Sequence, residues 1–236
     1  MTTPEPVLYR WPEAARVGRV VPKNKFYEHG RISRSTRQRF IDEVQRITWA
    51  YKLATDTIHL RGNDDVPEIQ VFTVDAKCDD VSGPVLEAID RSVPFPIVFE
   101  VTRETPGGGA TRMVAAHKLV RSGKVTVAGS HASGWVPAGA DRSPMPPAID
   151  LANLHAAIVG PLLPVAVVAG EPLAAAAQRA DAVARIDRDV SALQRKLRTE
   201  PQFNRKVELR RQIKDQERRR AELVDPAPTR SLVPPT

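Results

Sequence analysis

One cysteine, Cys78, stands in 236 residues, which excludes an internal disulfide and any zinc site built from several thiolates. Aromatic residues make up only 5% of the chain, so a core must rest on Val, Ile, Leu and Ala. No apolar run reaches the roughly 20 residues that a spanning helix needs. The most apolar window, 148–170, is broken by Asp150, Asn153, His155, Pro161 and Pro164. The opening MTTPEPVLYRWPEAAR has no apolar h-region, so no signal peptide and a cytoplasmic setting are expected, with no membrane partner.

Charge and proline are plentiful. The 21 prolines gather at both ends and between Pro137 and Pro164, where they mark connections. The net charge of +7 is uneven: residues 16–39 hold eight basic side chains against one acid, Glu28, and that stretch alone accounts for it. Such a local surplus points to a polyanion or an acidic protein face, or to a merely solvated surface.

The most regular pattern lies at 171–225. Val183, Ile186, Val190, Leu193 and Leu197 recur at steps of three and four, the repeat of a helix packing along one narrow seam. Pro172 suits a first turn, the Ala174–Ala177 run has high helix propensity, and Pro201 interrupts. A second helix starts near Gln202 with Val207, Leu209, Ile213 and Leu223 as its apolar residues. Its seam is weaker, because Gln216 and Arg220 fall on the stripe that Leu209 and Ile213 begin. So short a turn makes the two helices antiparallel.

Upstream, Ser35 is expected to cap a helix with Phe40, Ile41, Val44 and Ile47 on its apolar face. Residues 1–24 read as an extended surface segment and 25–30 as a short turn. Strands are expected over 49–60 and 68–76, the latter alternating Ile69, Val71 and Thr73 against Phe72 and Val74. A helix over 84–92 follows, then a buried strand at 95–101, a loop at 105–109 and strands at 111–120 and 124–128. Trp135 and Val136 close the sheet. The expected class is α+β: a mixed, largely antiparallel sheet with flanking helices on one face, followed by a long antiparallel helical hairpin. The expected segments are 1–30 extended, 31–140 the sheet domain, 141–170 a Pro-rich connection with a short helix, 171–225 the coiled-coil-like hairpin and 226–236 a disordered tail.

Five stretches together resemble one family: VPKNKFYEHG (21–30), FIDEVQRITWAYKLATDTIHL (40–60), EIQVFTVDAK (68–77), AAHKLV (115–120) and PQFNRKVELRRQIKDQE (201–217). In this order they are similar to the bacterial domain of unknown function 4391 family, over about residues 19–223. The family brings no established catalytic residues to carry over. Its members are often encoded beside DNA methyltransferases and helicases of restriction-like defence systems. The resemblance thus implies an accessory component whose protein partner is a methyltransferase or helicase.

No motif reaches a named chemistry, and a non-catalytic role without a cofactor is expected. The sharpest enzymatic alternative is Asp75-Ala76-Lys77 at a strand end, with Asp64 or Asp65 on the preceding turn and Glu100 on the next core strand. Restriction-type nucleases hold Mg²⁺ between two such carboxylates while the lysine polarises water or phosphate. Acid-x-Lys also arises often by chance, and an exposed strand end is the bland alternative. The histidines, His29, His59, His117, His131 and His155, show no pair at ligand spacing on one helix. His117-Lys118 is a candidate phosphate contact. Arg31, Arg34, Arg37 and Arg39 are candidate contacts to nucleic acid, nonspecific because no base-reading motif accompanies them. Ser130, His131 and Ser133 lack an acid and an elbow, and Gly107–Gly109 lacks the Lys-Ser/Thr of a phosphate loop. The seam residues Val183, Ile186, Val190, Leu193 and Leu197 either close the hairpin on itself and pack against a helix at 150–159, or form the candidate protein-binding surface, open to a partner helix or to a second copy in a homodimer.

Overall fold

The computed structural model describes residues 8–29, 32–121, 124–168 and 170–226. The chain divides into two units, 1–162 and 163–236. Arg31 and the expected tail from 227 onward lie outside the described residues.

The first unit runs β1 (Tyr9–Arg10), β2 (Arg16–Val20), α1 (Asn24–His29), α2 (Arg34–Glu43) and β3 (Val44–Leu53). Then come α3 (Thr55–Ile58), β4 (Ile69–Ala76), α4 (Gly83–Ser92) and β5 (Ile97–Thr105). It ends with β6 (Gly108–Arg121), β7 (Lys124–Ala132), β8 (Val136–Pro137), β9 (Ser143–Pro144) and α5 (Leu151–Val159). The main sheet has the order β2-β3-β4-β5-β6-β7, with β8 beside β6. Among the described residues, only β4 and β5 pair in parallel within it, because α4 carries the chain back between them. The fold is therefore α+β with a mixed, mostly antiparallel sheet.

Alternation along β4 divides the core as its sequence demands. Phe72 and Val74 join Phe40, Ile47, Leu86, Ile89 and Phe99 on one side of the sheet. Ile69 and Val71 join Leu53, Val98, Met113, Leu151 and Leu154 on the other. Helices thus cover both faces, α2 and α4 on the first and α5 on the second, which corrects the expectation of helices on one face. The physical reason is that β4 and β5 are apolar on both sides, and a strand so patterned must be covered twice.

Local chemistry explains the other differences. Ser33, not Ser35, caps α2: its Oγ accepts from the Thr36 amide at 3.0 Å. Val44 and Ile47 are buried from β3 rather than from the helix, which stops at Glu43. The strand expected over 49–60 ends at Leu53. Thr57 folds back there, accepting from the Ala54 amide and donating to the Lys52 carbonyl, and turns the chain into α3. Gly62 then lies against Pro67 so closely that a Cβ would sit 2.5 Å from its carbonyl oxygen. The expected 105–109 loop shrinks to Pro106-Gly107, since Gly108 already pairs with Thr105. The turn expected over 25–30 is replaced by α1, which runs from Asn24 to His29. Leu8, Tyr9 and Trp11 are buried against the second face, so this part of the N-terminal segment belongs to the core.

The second unit is a hairpin of α6 (Leu173–Thr199) and α7 (Phe203–Val224). At roughly 1.5 Å per residue these helices are about 40 and 33 Å long. They pack against each other, and Arg220 Nε donates to Asp187 Oδ1 at 2.6 Å across the pair. Among the described residues, no helix is long and apolar enough to cross a membrane.

Candidate functional site

Asp75 is the penultimate residue of β4, and both its oxygens are engaged within the sheet. Arg46 Nε of β3 donates to Oδ2 at 2.7 Å, and Thr102 Oγ1 of β5 donates to Oδ1 at 2.8 Å. Lys77 reaches elsewhere: its Nζ donates to the Ile41 carbonyl at 2.6 Å. Lys23 joins it there, donating to the carbonyls of Phe40 and Val44. The two ammonium groups thereby satisfy the C-terminal end of α2, where orphan carbonyls and the helix dipole favour a cation. Burial, with Lys77 nearby, lowers the pKa of Lys23.

Asp64 and Asp65 sit beyond the far end of β4, where the Asn63 side chain accepts from the Asp65 and Val66 amides. The eight-residue strand, about 26 Å long at ~3.3 Å per residue, separates them from Asp75. Glu100 shares a face with Asp75, as the registers Thr73–Glu100 and Asp75–Thr102 require. It is only 5% exposed. It accepts from Trp11 Nε1 at 2.7 Å and from both terminal nitrogens of Arg142, at 2.7 and 2.9 Å. Arg142 also donates to the Tyr9 carbonyl, so this carboxylate ties the N-terminal segment and the β9 strap to the sheet. Its hydrogen bond to Glu100 raises the Arg142 pKa. Among the described residues, no three His, Cys, Asp or Glu side chains gather where they could hold a metal ion.

Around Asp75 opens a cleft of about 550 Å³ lined by Gln45, Arg46, Ala76, Thr102, Arg103 and Glu104. It lies at the carboxyl ends of the two parallel strands, where open α/β sheets place their ligands. Its charges alternate in sign, so it favours no particular ion.

Lys118 is 4% exposed and faces inward. Its ammonium lies 2.6 Å from Asp90 Oδ1 and donates to the carbonyls of Asp90, Val93 and Phe95 at 2.7, 2.9 and 2.6 Å. Those carbonyls belong to the end of α4 and the turn after it, so the lysine is a clamp between α4 and β6. Burial lowers its pKa and raises that of Asp90, each opposed by the partner's charge. A cavity of about 310 Å³ adjoins the pair, with Glu87, Phe99 and Ala116 among its walls. On the other face, burial pushes His155 of α5 down to about 3, helped by His117 and Lys118. It is a neutral core histidine.

Arg34, Arg37 and Arg39 are exposed on α2, and Arg39 pairs with Glu43 at 3.4 Å. Arg34 and Arg37, three residues apart, share one side of that helix.

In the hairpin, burial is confined to one end. Ala176, Ala180 and Val183 are buried with Leu163 and Val165, and Leu173, Leu223 and Val224 pack on them. Arg179 closes this end. It holds Glu171 through two nitrogens at 2.8 and 2.6 Å and donates to the carbonyls of Leu223 and Ala166. The Arg179 guanidinium keeps the Glu171 carboxyl below its usual range. Beyond Val183 the seam changes. Ile186, Val190, Leu193 and Leu197 are only half-buried, and no residue of α7 is buried. Val207, one of the apolar residues expected of the second helix, is 48% exposed, and Phe203 is 74% exposed. The reason is angular: Leu209, Ile213 and Leu223 form the inner stripe, while Phe203 and Val207 lie on the neighbouring one.

Several of these relationships had no signal in the sequence. Arg179 and Glu171, Lys118 and Asp90, and Glu100 and Arg142 each join residues that only the fold brings together. Phe203 was legible as an apolar residue after Pro201, but its exposure was not.

The architecture defines a class: a mixed-sheet α+β unit followed by a helical hairpin. The sequence model described as "Domain of unknown function (DUF4391)" matches residues 10–219, and the chain belongs to that family. No curated protein and no solved structure matches it.

Proposed function

We propose that the protein is a non-catalytic, partner-binding subunit whose hairpin carries the docking surface. The observation that supports this reading is the open seam: four aliphatic residues between Ile186 and Leu197 stay half-exposed along paired helices. A third helix laid on that seam would remove apolar area from water at roughly 25 cal/mol per Å². The partner is a DNA methyltransferase or helicase of a restriction–modification or phage-defence system, which rests on family resemblance alone. A cytoplasmic setting follows from that partner class.

A second reading keeps a Mg²⁺-dependent nuclease at Asp75, favoured by the cleft at the ends of β4 and β5. Against it stand the Arg46 and Thr102 bonds to both Asp75 oxygens and the engagement of Lys77 with α2. The deciding experiment is purification of the tagged chain from its native host, with and without nuclease treatment. A methyltransferase or helicase retained in both preparations supports the first reading. Recovery of no protein partner, or of one lost on nuclease treatment, overturns it.

A further inference from the structure

The charge of the hairpin is polarised along its length. Residues 171–193 and 215–225 together hold eight acidic and six basic side chains. They pair across short distances, as in Arg179–Glu171, Arg220–Asp187 and Arg218–Asp215. The distal part, 194–214, holds eight basic side chains against two acids, Glu200 and Glu208. Its described ion pair is Arg211–Glu208, long at 3.5 Å and exposed. A net charge of +6 is thus concentrated in 21 residues around the turn.

The same region carries the most exposed apolar side chains of the hairpin. Phe203, Val207, Arg210 and Lys214 follow at steps of four, three and four, so they form one outward stripe of α7. It begins apolar and continues basic, while Leu197 and Leu209 of the same region are half-buried.

We infer that the distal hairpin is a docking site for an acidic amphipathic helix of a partner protein. This deepens the partner-binding reading and rests on it. The occupant's apolar face covers Phe203, Val207 and the open seam, and its carboxylates lie against Arg210, Lys214 and the neighbouring arginines. Each alternative meets only half of these features. A nucleic-acid backbone matches the charge but offers no apolar face for Val207, Leu197 and Leu209. A second copy matches the apolar stripe but brings another +6 against the first, and like charges at close range repel. An anionic bilayer needs a broad apolar face, and here the stripe turns basic after two residues.

The test uses the full chain in its native host with the photo-crosslinking residue benzoylphenylalanine in place of Phe203, and mass spectrometry of the product. The expected adduct is a helical segment of the co-purifying protein with net negative charge. The triple variant Arg205→Glu/Arg210→Glu/Lys214→Glu should lower recovery of that protein at least tenfold, with unchanged helix content by circular dichroism. Replacing the same three residues so as to keep the charge (Arg205→Lys, Arg210→Lys, Lys214→Arg) should leave recovery within twofold. Lysines substituted for the acids of the crosslinked segment should restore recovery by the triple-Glu variant. An adduct with nucleic acid, lipid, a second copy or a basic segment overturns the inference. So does the absence of an adduct while the protein still co-purifies. Failure of any protein to co-purify overturns the underlying partner-binding reading itself.

Discussion

Lys118 Nζ lies 2.6 Å from the Asp90 carboxylate, and both side chains are almost wholly removed from solvent. Burying two opposite charges costs desolvation on both sides, and the pair holds only because the ammonium also finds three carbonyl oxygens. Lys118→Met strands a buried carboxylate and should cost about 3–5 kcal/mol in urea unfolding. Lys118→Met combined with Asp90→Leu should recover more than half of that loss, because no uncompensated charge remains. Equal losses in the single and double variants would show that the carbonyl contacts, not the ion pair, are what matters.

His155 makes stability depend on pH. Its folded-state value of about 3 lies below the ordinary 6.5, so the unfolded chain takes up a proton that the folded chain refuses. The contribution is fully present above pH 6.5 and is lost as pH falls toward 3. Between pH 7 and 5 the wild type should lose about 2 kcal/mol relative to His155→Leu. Parallel pH profiles for the two proteins, measured by denaturant unfolding, would contradict a buried neutral imidazole.

Asp75 serves the sheet by linking β3, β4 and β5 through Arg46 and Thr102. Plasmid DNA incubated with the wild type in Mg²⁺ or Mn²⁺ should therefore stay intact. Cleavage that disappears in Asp75→Ala would revive the nuclease reading.

How much the sequence discloses follows from the range of the forces involved. The alternation along β4 and the three-four steps of α6 are local patterns, and they identify the strand and the hairpin directly, whereas the covering of the second sheet face by α5 depends on packing far along the chain. The end of β3 depends on Thr57 folding back on Lys52 and Ala54, a side-chain contact that competes with strand propensity and leaves no periodicity. Ser33 and Ser35 are equivalent as residue types, and only the course of the backbone selects the first as cap. The candidate site divides in the same way. Val183 to Leu197 could be named from spacing, while the locking of Lys77 onto α2 joins residues 36 apart in the chain.

Hydrogen exchange, read amide by amide on the free chain and on its purified complex, tests the central claim most directly. A third helix on the hairpin should slow exchange between Ile186 and Ile213, where seam residues are now half-open, and leave β3, β4 and β5 unchanged. Protection that falls on α2 or around Asp75, with the hairpin exchanging as in the free chain, would contradict the account.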